Sequence, residues 1–503
     1  MSARFGLNKG RLLAGVAAGG LLVFAGNTAL AEDAPVTTAQ AEAPVDPREA
    51  KIDALEQEVQ ALASQISELK SEVSSGITDV RKTVAAQPTI SLGNGRPTFA
   101  SADGSFKAAL RTVVQFDAAH YSVSPLTTAN DQASGTNFRR ARIGIDGTAF
   151  KVWNYGIWAD FGGSGGETPV LNQAWVEYAG WKPFGLKNPV RIRAGAWATP
   201  TGLEDATSNT EGLFLERAAS AELVRNFAGG DGRSGFGVFA NGDRWYASGV
   251  LTGAIVGIAA TPEFAEQTGF LGRIALNPIH GSNYDVHIGG NFQDVIEVAD
   301  TAAGAPVSQQ VRLRERPELR VDGIRLVDTN NINADGLRAY GAEAGASFRN
   351  LYVAGEYYWI DVNRTGNVGA AAYNPTFSGW YVQGAWTITG ERHAWSSANG
   401  GFTGVRAAHV FDPSKGQWGA WEVAGRYSVL DLNDHAGAGG ATPAGGTRGG
   451  VQKITTVGLN WYPNNTIRFL LDYQWVDVNK LSATGVQVGE TSHQLSVRSQ
   501  VAF

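Results

Sequence analysis

Arginines recur at alternate positions in one short stretch of the sequence. Arg312, Arg314 and Arg316 are separated by single residues, and Arg320 follows four residues later. In an extended strand, alternate side chains share one face and lie about 7 Å apart. The guanidinium group keeps its charge, and its fork of donors fits two oxygens of an oxyanion. The spacing therefore predicts a row of cations that can bind small anions.

Two interpretations of this row follow from the sequence. Arg140 and Arg142 repeat the alternation elsewhere, and Arg111 lies in another alternating segment. Stacked guanidinium groups repel one another unless an anion passes among them, and rings of Arg or Lys line anion pores. Alternatively, carboxylates of neighbouring strands pair with the arginines. Glu315 lies on the opposite face, but three other carboxylates could pair in this way: Asp146, Asp160 and Glu318.

A strand that carries such arginines must have one wet face and one apolar face, and residues 494–503 show this pattern. One face carries Leu495, Val497, Val501 and Phe503, and the other carries Gln494, Ser496, Arg498 and Gln500. Alternation with period two predicts a strand. An outer-membrane barrel places the apolar face against lipid and the wet face in the lumen. A soluble sandwich is the alternative from this stretch alone.

The same alternation begins near residue 106 and recurs along the chain. The tight turn at 463–465 contrasts with the long loop at 431–450, as the two ends of an outer-membrane barrel require. At about 50 residues per hairpin with its loop, the roughly 400 residues of this region give about 16 strands. The prediction is an all-β transmembrane antiparallel β-barrel, wide enough for an aqueous channel.

Composition and the N-terminus agree with export. The 503 residues are 43% hydrophobic, and no run is long and apolar enough for a transmembrane helix. Basic residues precede the short apolar stretch 12–25, and a small-x-small site ends at Ala31, which predicts a signal peptide at 1–31 and a disordered spacer at 32–47. The remaining chain has 38 basic and 47 acidic residues, a balance that argues against nucleic-acid binding.

Residues 48–84 are predicted to form a coiled-coil helix, which we expect in the periplasm. Asp46 can cap this helix and Pro47 can begin it. Apolar residues repeat with heptad spacing at Ile52, Leu55, Val59, Leu62, Ile66, Leu69, Val73 and Val80. Branched a positions with Leu at d favour two strands, whereas a trimeric barrel would favour three. A helix that packs against or inside the barrel as a plug is the alternative.

Several short motifs, in order along the chain, resemble the phosphate-selective porin O and P family. They are Gly95–Gly104, Phe138–Arg142, Ala159–Phe161, Gly202–Glu204, Thr207–Ser208, Glu216–Arg217, Tyr381–Gln383, Thr389–Glu391, Trp421–Glu422, Arg426–Tyr427 and Gly458–Tyr462. The resemblance covers residues 95–503. It implies a homotrimer of 16-stranded outer-membrane barrels that passes anions, with a third loop folded inward.

The resemblance also assigns roles to residues. The row Arg312, Arg314, Arg316 and Arg320 matches an arginine ladder, and Arg139, Arg140, Ser208 and Arg217 match positions at the constriction. Arg111 and Arg142 join them as candidates from their place on predicted strands. Phosphate channels of this family carry a lysine in the third loop where this sequence has Asp205. A carboxylate at that position should weaken the binding of phosphate.

Other chemistry has no support in the sequence. The seven histidines are scattered without metal-ligand spacing, and no Gly-x-Ser-x-Gly motif occurs. We therefore expect no enzyme activity and no cofactor or metal. The predicted function is passive diffusion of inorganic phosphate or other small anions across the bacterial outer membrane. The alternatives are a non-selective or organic-solute porin of the same fold, or a structural tether that acts through the coiled coil.

Overall fold

The computed structural model describes residues 46–125, 131–163, 170–256, 265–300, 309–366 and 373–503, so the predicted signal peptide lies outside the described residues. Sixteen long strands form the wall of a barrel. They are β1 (Lys107–Ser124), β2 (Gly135–Ala149), β3 (Trp153–Asp160), β4 (Val170–Trp181), β5 (Val190–Thr199), β6 (Gly230–Asn241), β7 (Trp245–Ile255), β8 (Thr268–His280), β9 (Tyr284–Glu297), β10 (Ile332–Phe348), β11 (Leu351–Arg364), β12 (Thr376–Thr387), β13 (Ala420–Asp434), β14 (Thr447–Tyr462), β15 (Ile467–Asn479) and β16 (Thr491–Ala502).

Each wall strand pairs antiparallel with its neighbours in the chain, and the last strand closes the ring. β16 pairs with β1, for example at Val497 and Ala118, and the final residue Phe503 exchanges backbone hydrogen bonds with Thr112. Closure removes the free edges that a lipid-facing sheet could not leave unpaired. The predicted all-β barrel of about 16 strands is therefore confirmed.

The two faces of the wall differ as the alternation predicts. In β16, Leu495 and Val497 point outward and are exposed, whereas Arg498 and Gln500 point inward and are buried. Aromatic side chains stack on the outer face near the strand ends, as with Trp461 between Trp421 and Phe469. An apolar outer surface with interfacial aromatic residues is typical of a barrel surrounded by lipid.

The helix α1 (Pro47–Ala85) precedes the barrel sequence, and its start follows the predicted cap. The carboxylate of Asp46 accepts a hydrogen bond from the backbone N–H of Arg48 at 3.0 Å. The eight heptad residues are 50–66% exposed. Among the described residues, no helix combines the length and apolar character needed to cross a membrane.

The connections between strands differ in length at the two ends of the barrel. Six turns at one end, the short-turn end, are brief, such as residues 349–350 and 463–466. One connection at this end, residues 388–419, is long, so the predicted alternation of short turns with long loops fails there. At the opposite end, loop 435–446 is shorter than predicted because β13 and β14 extend into it.

Three segments fold into the barrel, and they carry its core. Loop 200–229 contains the short helices α2 (Leu203–Ala206) and α3 (Ala219–Arg225), and segment 309–331 is the described part of another long connection. Segment 388–419 enters from the short-turn end. Apolar residues of α3 and segment 309–331, such as Val224 and Val327, pack with inward side chains of the wall. This core lies inside the barrel because the outer face meets lipid.

Candidate functional site

Loop 200–229 is held across the lumen by carboxylates of the wall opposite its own strands. Glu356 of β11 accepts hydrogen bonds from the backbone N–H groups of Leu203 and Glu204 at 2.7 and 3.0 Å. The hydroxyl groups of Tyr358 and Tyr381 donate to the same carboxylate at 2.8 and 2.6 Å. Glu356 therefore accepts hydrogen bonds from the first N–H groups of α2. Two buried tyrosines hold its carboxylate in place. This arrangement confirms that the third loop folds inward.

Glu216, near the middle of this loop, is the centre of an arginine cluster. Its carboxylate accepts from Arg139 Nε at 2.7 Å and from Arg498 Nη2 at 2.8 Å, and Arg320 Nε lies 3.7 Å away. Burial alone would raise the pKa of the Glu216 carboxyl, but these guanidinium groups hold it well below its usual range. Arg498 also pairs with Asp117 through two bonds of 2.7 Å.

A β-bulge explains how consecutive arginines both reach this cluster. Residues next to each other in a strand point to opposite faces. However, Gln115 of β1 pairs with Arg140 of β2, and the next residue Phe116 pairs with Phe138. Arg139 is therefore the extra residue of a bulge in β2. The bulge turns Arg139 inward beside Arg140. Period-two reasoning would have placed one of the two in lipid.

Asp205 neutralises arginines of its own loop. Its Oδ1 lies 3.0 Å from Arg217 Nη2 and 2.6 Å from Arg225 Nε. Arg139 and Arg140, which the resemblance assigns to the constriction, are not among the ion pairs of this carboxylate in the described residues. Arg139 pairs with Glu216 instead. Asp205 therefore draws two arginines together on one side of the loop.

Other carboxylates neutralise further arginines of the lumen. Arg142 pairs with Asp160 at 2.6 Å, and its Nη2 lies 3.2 Å from Asp231. Arg320 donates to Glu222 at 2.6 Å. The pairing alternative therefore describes Arg142 and Arg320. Of the three carboxylates considered from the sequence, Asp160 pairs with Arg142, Asp146 with Arg111, and Glu318 with Arg426.

Arg140 differs from its neighbours because no described carboxylate lies within ion-pair distance. Its Nη1 donates to Gln115 Oε1 at 2.6 Å, and its Nε has no partner among the described groups. Only 2% of the residue is exposed. It borders a cavity of about 20 Å³ that Glu216 and Arg217 also line. Burying a guanidinium group without a carboxylate within ion-pair distance costs free energy.

Segment 309–331 does not form the strand that the spacing of its arginines predicts. Only two short pieces of it form ladders, because leucines of the segment turn inward into apolar clusters. Gln310–Val311 pairs with the start of β10, and Arg314–Glu315 pairs with Val327–Asp328. Exposed and buried residues still alternate in part of the segment. Arg314 is exposed, whereas Arg312 pairs with Asp328. Arg316 is half-buried, and its Nε and Nη1 have no partner among the described groups.

The remaining predicted residues lie at the short-turn end. Arg111 pairs with Asp146 at 2.7 Å and lies 5.6 Å from the ring of Trp158. Ser208 bonds to the hydroxyl of Thr210 at 2.9 Å. Both line a cavity of about 720 Å³, which is separate from the small cavity at Arg140. The structure thus brings Arg139, Arg140, Arg217 and Arg320 together around Glu216 and Asp205, whereas Arg111 and Ser208 line the larger cavity.

Several charged residues of the lumen were missed in the sequence. They are Arg225, Arg426 and Arg468, with the carboxylates Glu216 and Glu222. The alternation placed Arg498 on the wet face of β16, and the same rule applied to β15 would have placed Arg468 on its wet face. The contacts of Arg225 and Glu216 depend on the path of loop 200–229, which has no periodic signal.

Comparisons with known proteins agree with this architecture. The family model described as phosphate-selective porin O and P matches residues 106–503. Porin O from Pseudomonas aeruginosa is 27% identical over 387 residues, which cover 71% of this chain and 80% of that protein. An uncharacterized protein from Caulobacter vibrioides is 26% identical over 431 residues, covering 82% and 76%.

Two solved structures of outer-membrane proteins align with most of this chain. An anion-selective porin from Comamonas acidovorans is 13% identical with a TM-score of 0.46, covering 79% of this chain and 100% of that one. A loop-deletion mutant of OmpT from Vibrio cholerae is 9% identical with a TM-score of 0.47, with the same coverage. The family match extends over most of the chain and includes every wall strand, so this chain belongs to the phosphate-selective porin O and P family.

Proposed function

We propose that this outer-membrane porin conducts small anions by passive diffusion. The observation that carries the proposal is Arg140, a buried guanidinium group at the inward loop with no carboxylate within ion-pair distance in the described residues. Arg314 and Arg316 of segment 309–331 likewise have no ion pair there. Arginines without an ion pair favour the entry of anions over cations.

The relative from Pseudomonas aeruginosa is named Porin O, and the matching family is described as phosphate-selective. In this chain, however, carboxylates already occupy the arginines that phosphate would bind. Asp205 lies between Arg217 and Arg225 and accepts the hydrogen bonds that an oxyanion would need. Glu216 does the same for Arg139 and Arg498. We therefore propose a pore for monovalent anions such as chloride, in which phosphate binds weakly.

Ion selectivity of the wild-type protein tests this function. The purified protein is inserted into a planar bilayer with a tenfold gradient of potassium chloride, and the reversal potential is measured. We expect the sign of an anion-selective pore, and little reduction of the chloride current when inorganic phosphate is added. A cation-selective or unselective reversal potential would contradict the proposal and favour the non-selective porin.

We also propose that the protein assembles as a homotrimer. The eight exposed heptad residues of α1 support association between copies, because such a stripe is buried most simply by α1 of other copies. Chemical cross-linking of the full-length protein should yield trimers, and the paired substitution Leu55→Asp with Leu62→Asp should reduce their yield. A dimer as the largest product would support the two-stranded alternative.

A further inference from the structure

Segment 388–419 brings a hairpin into contact with loop 200–229. In this hairpin, residues 395–402, Trp395–Ser396 pairs with Gly401–Phe402, and the residues between them form the tip. The hairpin enters from the short-turn end, whereas loop 200–229 joins β5 to β6 at the opposite end of the barrel. The two elements therefore reach each other inside the lumen from opposite ends.

Arg273 of β8 fixes the tip of the hairpin to the wall. This side chain is 1% exposed, and its Nη1 and Nη2 donate to the carbonyls of Asn399 and Gly400 at 2.8 and 2.7 Å. Its Nε and Nη2 also donate to the carboxylate of Glu343 in β10 at 2.9 and 2.7 Å. Gly400 has a φ of +64°, and a Cβ atom there would lie only 2.7 Å from the Cβ atom of Ala275. The hydrogen bonds and the close approach together give the tip a fixed place on β8.

The tip in turn holds α2 of the loop. The side-chain amide of Asn399 donates to the carbonyl of Ala206, the last residue of α2, at 2.6 Å. The final carbonyls of a helix have no partner within the helix, so this bond satisfies a group that the helix itself leaves unpaired. The hydroxyl of Thr207 donates to the carbonyl of Phe402 at 3.2 Å. Because Glu356 holds the first N–H groups of α2, the helix is attached at both ends.

Further contacts join the hairpin and the residues after it to the loop. Phe402 is 1% exposed and packs in one apolar cluster with Leu203 and Phe214 of the loop. Glu211 of the loop accepts a hydrogen bond from the backbone N–H of Gly404 at 3.0 Å. Segment 388–419 therefore contacts the loop from α2 to its middle part.

We propose that this hairpin holds loop 200–229 at one position in the lumen, and that Asn399 is the positioning residue of the contact. Asp205 lies within α2, so its ion pairs with Arg217 and Arg225 depend on the same attachment. A segment held by few contacts opens locally, and the current through the pore then fluctuates. The inference concerns the width of the path rather than the ion that passes, and it rests on the proposed conduction.

Removal of the Asn399 amide tests this role. The purified variant Asn399→Ala is inserted into planar bilayers, and the noise of its single-channel current in potassium chloride is compared with that of the wild type. We expect the root-mean-square noise of the open channel to rise about threefold or more, because α2 has lost one attachment. Unchanged noise in a folded Asn399→Ala barrel would overturn the proposal.

The matched control is Asn188→Ala. The amide of Asn188 donates to the carbonyl of Asn241 at 3.3 Å at the rim of the short-turn end, so this variant loses the same kind of hydrogen bond. We expect its noise to equal that of the wild type. An equal rise in both variants would count against the proposal, because the effect would then not depend on the hairpin.

A disulfide can replace the lost hydrogen bond, since the chain has no cysteine of its own. A Cβ atom at Gly401 would lie 3.0 Å from the Cβ atom of Ala206, a little below the roughly 3.5–4.5 Å of a disulfide. We combine Asn399→Ala with Ala206→Cys and Gly401→Cys and confirm the cross-link by the loss of free thiols. Oxidation should return the noise to the wild-type value, and a reductant should raise it again. High noise in the cross-linked protein, or no cross-link at all, would refute the proposed contact.

The outcomes separate this inference from the proposed function. Wild-type pores that prefer cations refute the proposed function, whereas anion-selective pores with unchanged noise in Asn399→Ala refute the positioning role alone. Unheated gel mobility shows whether each variant forms a folded barrel.

If Asn399→Ala does not fold, the cysteine pair in the otherwise wild-type chain decides the question. Its reduced side chains crowd the contact between the hairpin and the loop, and we expect the noise to fall about twofold or more on oxidation. Equal noise in the oxidised and reduced protein would overturn the proposal.

Discussion

Loop 200–229 and segment 309–331 both bring arginines into the lumen, but they balance the charge differently. In the loop, Asp205 and Glu216 each bind two guanidinium groups at 3.0 Å or less. In the segment, Arg314 and Arg316 have no ion pair among the described residues, although Arg312 and Arg320 do. The loop is fixed by its charges, whereas the segment presents part of its charge to the channel.

This difference shows that the number of arginines in a lumen does not by itself give a pore its anion affinity. A guanidinium group with a buried carboxylate partner contributes to the position of the loop and has few donors left for a solute. A guanidinium group without one contributes to the electrostatic potential of the path. Substitutions in the loop, at the wall residue Arg140 beside it and in the segment test this difference.

Removal of the Glu216 charge should have the largest effect. In Glu216→Gln, the buried Arg139 and Arg498 face each other across a neutral amide, and we expect the barrel to lose about 3–5 kcal/mol of unfolding free energy. The midpoint of urea unfolding, followed by unheated gel mobility, measures this loss. Glu297→Gln, at an exposed strand end, is the control. Equal midpoints for the two variants would contradict the role of Glu216.

Removal of the Asp205 charge should create a phosphate site. In Asp205→Asn, Arg217 and Arg225 lose their common acceptor, and a phosphate ion can take its place. We expect phosphate to block chloride current at least tenfold more tightly, within the range of about 1–3 kcal/mol for a charged hydrogen bond. Asp243→Asn on an exposed turn should change nothing. Tight block in the wild type would show that Asp205 does not compete with phosphate.

Loss of the Arg140 charge should lower selectivity. Arg140 has Gln115 as its side-chain partner, so Arg140→Gln leaves no described carboxylate unpaired. We expect the permeability ratio of chloride to potassium to fall several-fold, because a buried charge is screened little by salt. The reversal potential in a chloride gradient measures the ratio. The control is Lys187→Gln, which removes a charge from an exposed turn. An unchanged ratio would place Arg140 outside the conduction path.

Charge reversal in segment 309–331 should have the smallest effect. Arg314 is exposed, so salt screens its charge, and we expect Arg314→Glu to reduce the permeability ratio only about twofold at physiological ionic strength. Lowering the salt concentration should enlarge the change. Arg312→Gln should have less effect still, because Asp328 already neutralises that residue. A larger effect of Arg312→Gln than of Arg314→Glu would reverse the assignment.

The regular strands of the barrel wall could be predicted from the alternation of the sequence. The alternation at 494–503 correctly separated outward Leu495 and Val497 from inward Arg498. This succeeds because a wall strand has two solvents, lipid and water, and each selects its own side chains at every second position. The family could also be predicted, because its short motifs fall mainly on this periodic framework.

The contents of the lumen depended on tertiary structure. Three features of the lumen have no periodic signal in the sequence. They are the bulge that turns Arg139 inward, the pairing of Asp205 with Arg225, and the leucines that bend segment 309–331 out of a strand. An inward segment has neighbours on all sides, so its contacts depend on several distant strands at once. The sequence by itself determined a closed barrel with arginines in its lumen. The fold decided which of them are neutralised, because an ion pair requires a distance of a few ångströms that no spacing along the chain specifies.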